Sequence, residues 1–157
     1  MPDIRFYHLT KKSLEQALPD LLGRSLGRGW RAVVKARSEE RVEALNQHLW
    51  TFDDAAFLPH GSNQDGRPGL QPIWLTVEDE NPNGAQVLFL TDGADTANSG
   101  LFETVCVLFD GRDDEAVALA RKQWTAFKEA GHPLTYWQQN ERGGWDKKQE
   151  IAGTAGA

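Results

Sequence analysis

The residues of this 157-residue chain whose types could do chemistry are four histidines, one cysteine, two adjacent carboxylate pairs and a helical stretch that interleaves cations with aromatic rings. His8, His48, His60 and His132 are scattered without the i, i+4 spacing or the neighbouring carboxylate of a zinc helix, so no metal site is expected. A lone histidine after Pro59 reads as hydrogen-bonding its own loop. Cys106 sits in Thr104-Val105-Cys106-Val107-Leu108-Phe109, an apolar run that reads as a buried strand, where a thiol is unactivated and has no second cysteine to pair with. The serines fall at caps and turns with no G-x-S-x-G elbow. Asp53-Asp54 and Asp113-Asp114 stand beside helix ends, where capping accounts for them. No G-x-G-x-x-G follows a strand and no Gly-Lys-Ser/Thr opens a helix; the turn Thr10-Lys11-Lys12-Ser13 lacks glycine, and the glycines of Leu22 to Gly27 close a helix instead of opening one. Neither a reaction nor a cofactor is expected from this set.

Binding chemistry is better represented. Arg121 and Lys128 are seven residues apart in a helical pattern, Trp124 lies one turn after Arg121, and Phe127 falls between Trp124 and Lys128, so a cation stands beside an aromatic face. That suits an apolar residue bearing a carboxylate, with Arg121 donating a fork of hydrogen bonds. The other reading places Trp124 and Phe127 in the core and leaves Arg121 solvated. A second aromatic cluster, from His48-Leu49-Trp50 through Phe52 to Phe57-Leu58-Pro59-His60, falls where a helix should end. It reads either as a lid on the core or as a docking surface.

The elements that must position these groups alternate. Ile4 to His8 reads as a strand, Ser13 as the cap of a helix with Leu14, Ala17, Leu18, Leu21, Leu22 and Leu26 on one face, and Pro19 as a kink or a later start. Gly27 and Gly29 stop that helix before a strand at Trp30 to Ala36. Ser38 caps a second helix carrying Val42, Leu45 and Leu49, with Glu39 and Glu40 at its positive end. A turn-rich loop from Gly61 to Gly69 leads to a strand at Pro72 to Val77. Asn81-Pro82-Asn83-Gly84 then precedes a strand at Gln86 to Thr91, the two strands forming either a hairpin or a crossover. Asp92 to Gly100 reads as a loop or short helical turn before the Cys106 strand. Asp113 and Asp114 open the last helix, Gly131 caps it, and Leu134 to Trp137 reads as an edge strand. The pattern predicts a single three-layer α/β/α domain over 1–140 with a mixed, mostly parallel central sheet, and a flexible polar tail over 141–157.

With 17 basic against 23 acidic residues the net charge is −6, which disfavours direct binding to a phosphate backbone; any role with DNA would run through proteins. No apolar run approaches the ~18 residues of a membrane span, and a cytoplasmic protein is expected.

Taken together, Arg5-Phe6-Tyr7-His8-Leu9, Gly29-Trp30-Arg31-Ala32, Leu49-Trp50 with Phe57-Leu58-Pro59-His60, and Ala120-Arg121 through Lys128-Glu129-Ala130-Gly131 resemble the chi subunit of bacterial DNA polymerase III, in order, across about residues 3 to 138. The resemblance implies a clamp-loader accessory protein with no catalytic activity of its own, the holoenzyme being the DNA-directed DNA polymerase. It implies a link from the replicase to single-stranded DNA-binding protein through that protein's acidic C-terminal tail, which ends in Pro-Phe and a free carboxylate. By position, Arg121 would pair with the carboxylate, and Trp124, with Val117 and Ala118 nearby, would help form the pocket for the terminal Phe; Phe127 and Lys128, from the helical pattern above, complete the expected tail site. Trp124 stands where the family has a tyrosine and Thr125 where it has a lysine, which leaves Lys122 and Lys128 as the neighbouring cations. Trp50, Phe57, Pro59 and His60 match the surface that docks the psi subunit of the clamp loader or, in competition, a repair helicase. The alternative from another class is a degenerate nucleotide-binding or helicase-like α/β domain.

Overall fold

Alternate residues of each apolar strand point to opposite sides of a sheet, and here each side has helices to bury it. The computed structural model describes residues 2–51, 59–62 and 66–153. The strands are β1 (Asp3–Leu9), β2 (Ala32–Lys35), β3 (His60–Ser62), β4 (Ile73–Thr76), β5 (Val87–Leu90), β6 (Thr104–Asp110), β7 (Leu134–Gln139) and β8 (Trp145–Ile151). They form one sheet in the order β3-β4-β2-β5-β6-β1-β7-β8, parallel throughout except for the antiparallel β7–β8 pair. The helices are α1 (Leu14–Gly27), α2 (Glu39–Thr51) and α3 (Asp114–Glu129). Leu18 and Leu22 of α1 and Val42 and Leu45 of α2 pack with Val34, Phe89 and Leu108 on one face. Ala120 and Phe127 of α3 pack with Ile4, Phe6, Val105 and Val107 on the other. This is the three-layer α/β/α arrangement that the alternation predicts.

The helix ends follow their local chemistry. Ser13 and Gln16 close a reciprocal capping box on α1, which runs through Pro19 with that residue buried. Asp113 accepts from the amides of Glu115 and Ala116 at the start of α3. At the other end Gly131 takes a left-handed φ of 88° while His132 N–H bonds the Phe127 carbonyl and Gly131 N–H that of Lys128, a Schellman closure that only glycine adopts without strain.

One open alternative is decided and two expectations change. Strands β4 and β5 do not pair with each other; both pair in parallel with β2, so the Asn81 to Gly84 turn belongs to a crossover. Strand β7 lies between β1 and β8 and is not an edge. Residues 145–151, expected within a flexible tail, form the edge strand β8. Its reversal is built by Asn140, whose side-chain oxygen accepts from the amides of Arg142 and Gly144, and by Gly143 at φ 81°. Trp145 meets Tyr7 edge-on at 5.0 Å, and Ile151 pairs with Leu134. The polar run between them reads as a tail because an edge strand with solvent on one side carries Lys and Glu for protection from further pairing.

Candidate functional site

Helix α3 and the strands beneath it enclose a groove of about 410 Å³. Val117, Arg121, Trp124 and Thr125 line it from α3, Phe6 and His8 from β1, and Tyr136 from β7. The walls are braced ring to ring: Trp124 stands edge-on to Phe6 at 5.2 Å and to Tyr136 at 5.8 Å, and His8 edge-on to Tyr136 at 5.8 Å. Such pairs hold the rings in place beyond their burial. Arg121 is exposed at the rim and has no acidic partner among the described residues. The guanidinium of Arg41, in contrast, bridges Glu15 and Asp92, and that of Arg112 is held by Asp110. The site thus offers a hydrophobic slot with an unneutralised, fork-shaped cation at its edge.

The polar floor is protonation-dependent. Burial pushes the Tyr136 phenol above its ordinary range, with Arg121 opposing, so the hydroxyl stays protonated at neutral pH. Burial also lowers the His8 imidazole, against the pull of Asp110, and His8 Nδ1 is hydrogen-bonded to the Tyr136 hydroxyl. A folded-state pKa below the unfolded one means that the neutral ring is favoured by folding. This contribution to stability is fully present above the unfolded value of about 6.5 and is lost as pH falls through the folded value. Chemical denaturation from pH 7.5 to 5 should therefore show a steeper loss of stability for wild type than for His8→Gln, and parallel curves would refute it.

Glycine makes room for this histidine. A Cβ on Gly111 would stand 1.8 Å from His8 Nε2. Gly111→Ala should push the ring away from Tyr136 and cost about 1 to 2 kcal/mol, the scale of one part-buried hydrogen bond and its contacts, measured by denaturation. An unchanged midpoint in both Gly111→Ala and His8→Gln would show that the contact is energetically idle.

Of the tail-site residues named from sequence, the structure gathers Arg121, Trp124 and Val117 in one groove. Phe127 is buried beneath it, 6.3 Å from the Phe6 ring and 5.4 Å from that of His132. Ala118 and Lys128 are exposed but do not line it. Phe6, His8, Phe109, Tyr136 and Gln149 were not named; the one sequence signal for them is that Phe6 and His8, two apart on a strand, share a face. On the second surface Trp50 is 51% exposed at the end of α2, its ring 4.5 Å from that of His60. His60 itself is buried, with Nε2 hydrogen-bonded to the Asn46 carbonyl at 3.1 Å, and supports Trp50 from below. Pro59 is half-buried beside it, and Phe57 lies outside the described residues.

At the carboxyl ends of β1, β5 and β6, where open α/β sheets usually hold ligands, lies a larger crevice of about 530 Å³. Glu15, Asp92, Asp110, Asp113 and Glu115 line it against Arg37, a setting that repels phosphate. Burial pushes the Cys106 thiol up to about 12, far from a nucleophilic state. Among the described residues no group of His, Cys, Asp and Glu could hold a metal, and no helix is long and apolar enough to cross a membrane.

Fold and groove together define the class: a single-sheet α/β protein whose concave site on α3 is built from aromatic walls and one guanidinium. Within that class the chain belongs to the DNA polymerase III chi subunit (HolC) family, whose model matches residues 1–135. It is similar to a probable DNA polymerase III subunit chi of Rickettsia prowazekii (strain Madrid E), 33% identical over 97 residues. That match covers 62% of this chain and 59% of the Rickettsia protein, so it spans about three fifths of that relative. The DNA polymerase III subunit chi of Escherichia coli (strain K12) is 21% identical over 122 residues, 78% of this chain and 83% of that protein.

Proposed function

We propose that the chain is a non-catalytic adaptor of the DNA polymerase III clamp-loader complex, linking the replicase to single-stranded DNA-binding protein by holding its acidic, Pro-Phe-ending C-terminal tail in the α3 groove. The observation that carries this reading is Arg121, a cation without an acidic partner among the described residues, at the rim of a groove walled by Trp124, Phe6 and Tyr136. A terminal Phe presents a ring and a carboxylate on one residue, and the groove offers a slot and a fork at matching places. Contact with DNA is then indirect, in keeping with the net charge of −6. The test is a fluorescence-anisotropy titration of an acidic peptide ending in Pro-Phe against the same peptide with its C-terminus amidated. The amide should bind at least about tenfold more weakly, because it removes the charge that Arg121 receives. Equal binding of the two peptides would sink the reading.

The half-exposed Trp50 supports a second docking surface, for the psi subunit or a repair helicase. A Trp with half its surface in water should contribute less than the ~3 to 5 kcal/mol of a core Trp, so Trp50→Ala should lower stability by only about 1 to 2 kcal/mol. It should nevertheless abolish co-purification with the second partner. Loss of 3 kcal/mol or more in thermal or chemical denaturation, with partner binding kept, would make Trp50 a structural residue only.

A further inference from the structure

Strand β8 lies beyond residues 1–135, the span shared with the family, yet it contributes a side chain to the groove: Gln149. A register shift puts it there. Trp137 pairs with Lys147, but its neighbour Tyr136 pairs with Gln149, so Lys148 is an extra residue, a β-bulge in the edge strand. Without it, Gln149 would share a face with Lys147, whose ammonium lies 5.9 Å from the Trp137 ring on the side of α1 and α2. The bulge turns the strand over, so that Gln149 and Ile151 come to the α3 side, where Ile151 packs on the core. Bulges re-aim side chains, and this one aims an amide at the groove.

We infer that Gln149 is a peptide-binding residue of the groove, its side-chain amide hydrogen-bonding the main chain of the acidic tail just before the terminal Phe; this rests on the tail-binding reading above. The amide carries both donors and an acceptor and so matches a peptide unit of any sequence. Gln149 is exposed, and its amide has no hydrogen-bond partner among the described residues. It stands opposite Tyr136, which itself faces Trp124. A peptide with its carboxylate at Arg121 and its ring against Trp124 and Tyr136 passes this amide on its way out over β8.

The test titrates one labelled acidic Pro-Phe peptide against wild type, Arg121→Ala, Gln149→Ala and Gln149→Glu, with circular dichroism and thermal midpoints as folding controls. Gln149 is exposed on an edge strand, so all four proteins should fold alike. Gln149→Ala should weaken binding about three- to tenfold, the effect of one hydrogen bond at a partly wet site. Gln149→Glu should weaken it by about tenfold or more, because a carboxylate would face an acidic ligand. If Arg121→Ala loses affinity while both Gln149 variants stay within threefold of wild type, the inference is overturned and the tail-binding reading stands. If wild type itself fails to bind, both fall.

Discussion

Arg121→Ala is expected to weaken binding of the acidic Pro-Phe peptide by about 2 kcal/mol, or roughly 30-fold, with no change in folding stability. The magnitude follows from position. Truncating one member of a fully buried charge pair costs about 2 to 5 kcal/mol, and Arg121 is exposed at the groove rim, where water still reaches the pair, so the low end applies. Stability is spared because the guanidinium makes no ion pair with another described residue whose loss would be felt. Arg121→Lys separates charge from shape. An ammonium keeps the attraction but not the planar fork, so about a fivefold loss is expected, intermediate between wild type and alanine. Binding should also weaken as salt is raised, and less steeply in Arg121→Ala than in wild type. Binding by Arg121→Ala within threefold of wild type, with the fold intact, would remove Arg121 from the site and with it the reason for assigning the tail to this groove.

How much of this was legible in the sequence depends on whether the signal was local. Ser13, Asp113 and Gly131 announce helix ends through hydrogen bonds that close within a few residues, and each stands where it was expected. Arg121 and Trp124 were legible for the same reason, since three residues on a helix fix their proximity. Phe127, three further on, could be read as part of that face or as core, and it turns under the helix to the Phe6 ring. Helical spacing places a side chain on an arc without telling how deep the neighbouring layer lies. Tyr136 and Gln149 depend on β7 joining β1 and on a one-residue bulge in β8. Those are matters of strand order and register, which no local pattern states. The family resemblance, confirmed over residues 1–135, could not carry β8 either, because β8 lies past them.

The acidic crevice and the α3 groove also divide the molecule electrostatically. The crevice at the strand ends concentrates carboxylates, with Arg41 paired to Glu15 and Asp92, while the guanidinium of the groove, on the opposite side of the sheet from α1 and α2, has no ion-pair partner among the described residues. A net anion that binds an acidic peptide must do so through a local field, with general repulsion working against the approach. Association is therefore expected to depend on Arg121, Lys122 and Lys128 close to the groove more than on the total charge.

The largest loss of stability is expected from Phe6→Ala. Phe6 is fully buried at the middle of β1, between β6 and β7, and touches both Trp124 and Phe127 edge-on. Emptying such a site costs about 3 to 5 kcal/mol, and for a chain of this size each kcal/mol lowers Tm by about 2 to 4 °C, so a fall of roughly 6 to 20 °C is expected in a thermal melt. Because the same ring braces the groove wall, the effect should reach binding as well. Phe6→Leu tests this at a milder level: it keeps most of the volume, at about 1 to 1.5 kcal/mol of stability, but removes the ring that holds Trp124, worth about 0.5 to 1.5 kcal/mol. Peptide affinity should therefore fall in Phe6→Leu by about two- to tenfold while the protein remains folded at the assay temperature. Val33→Ala is the control, since Val33 is fully buried in the same half of the core but does not line the groove. It should lower Tm at least as far as Phe6→Leu and leave affinity unchanged. Were both variants to lose affinity in proportion to their stability, the groove would depend on global folding alone, and the ring-to-ring bracing of Trp124 by Phe6 would have no separate role in binding.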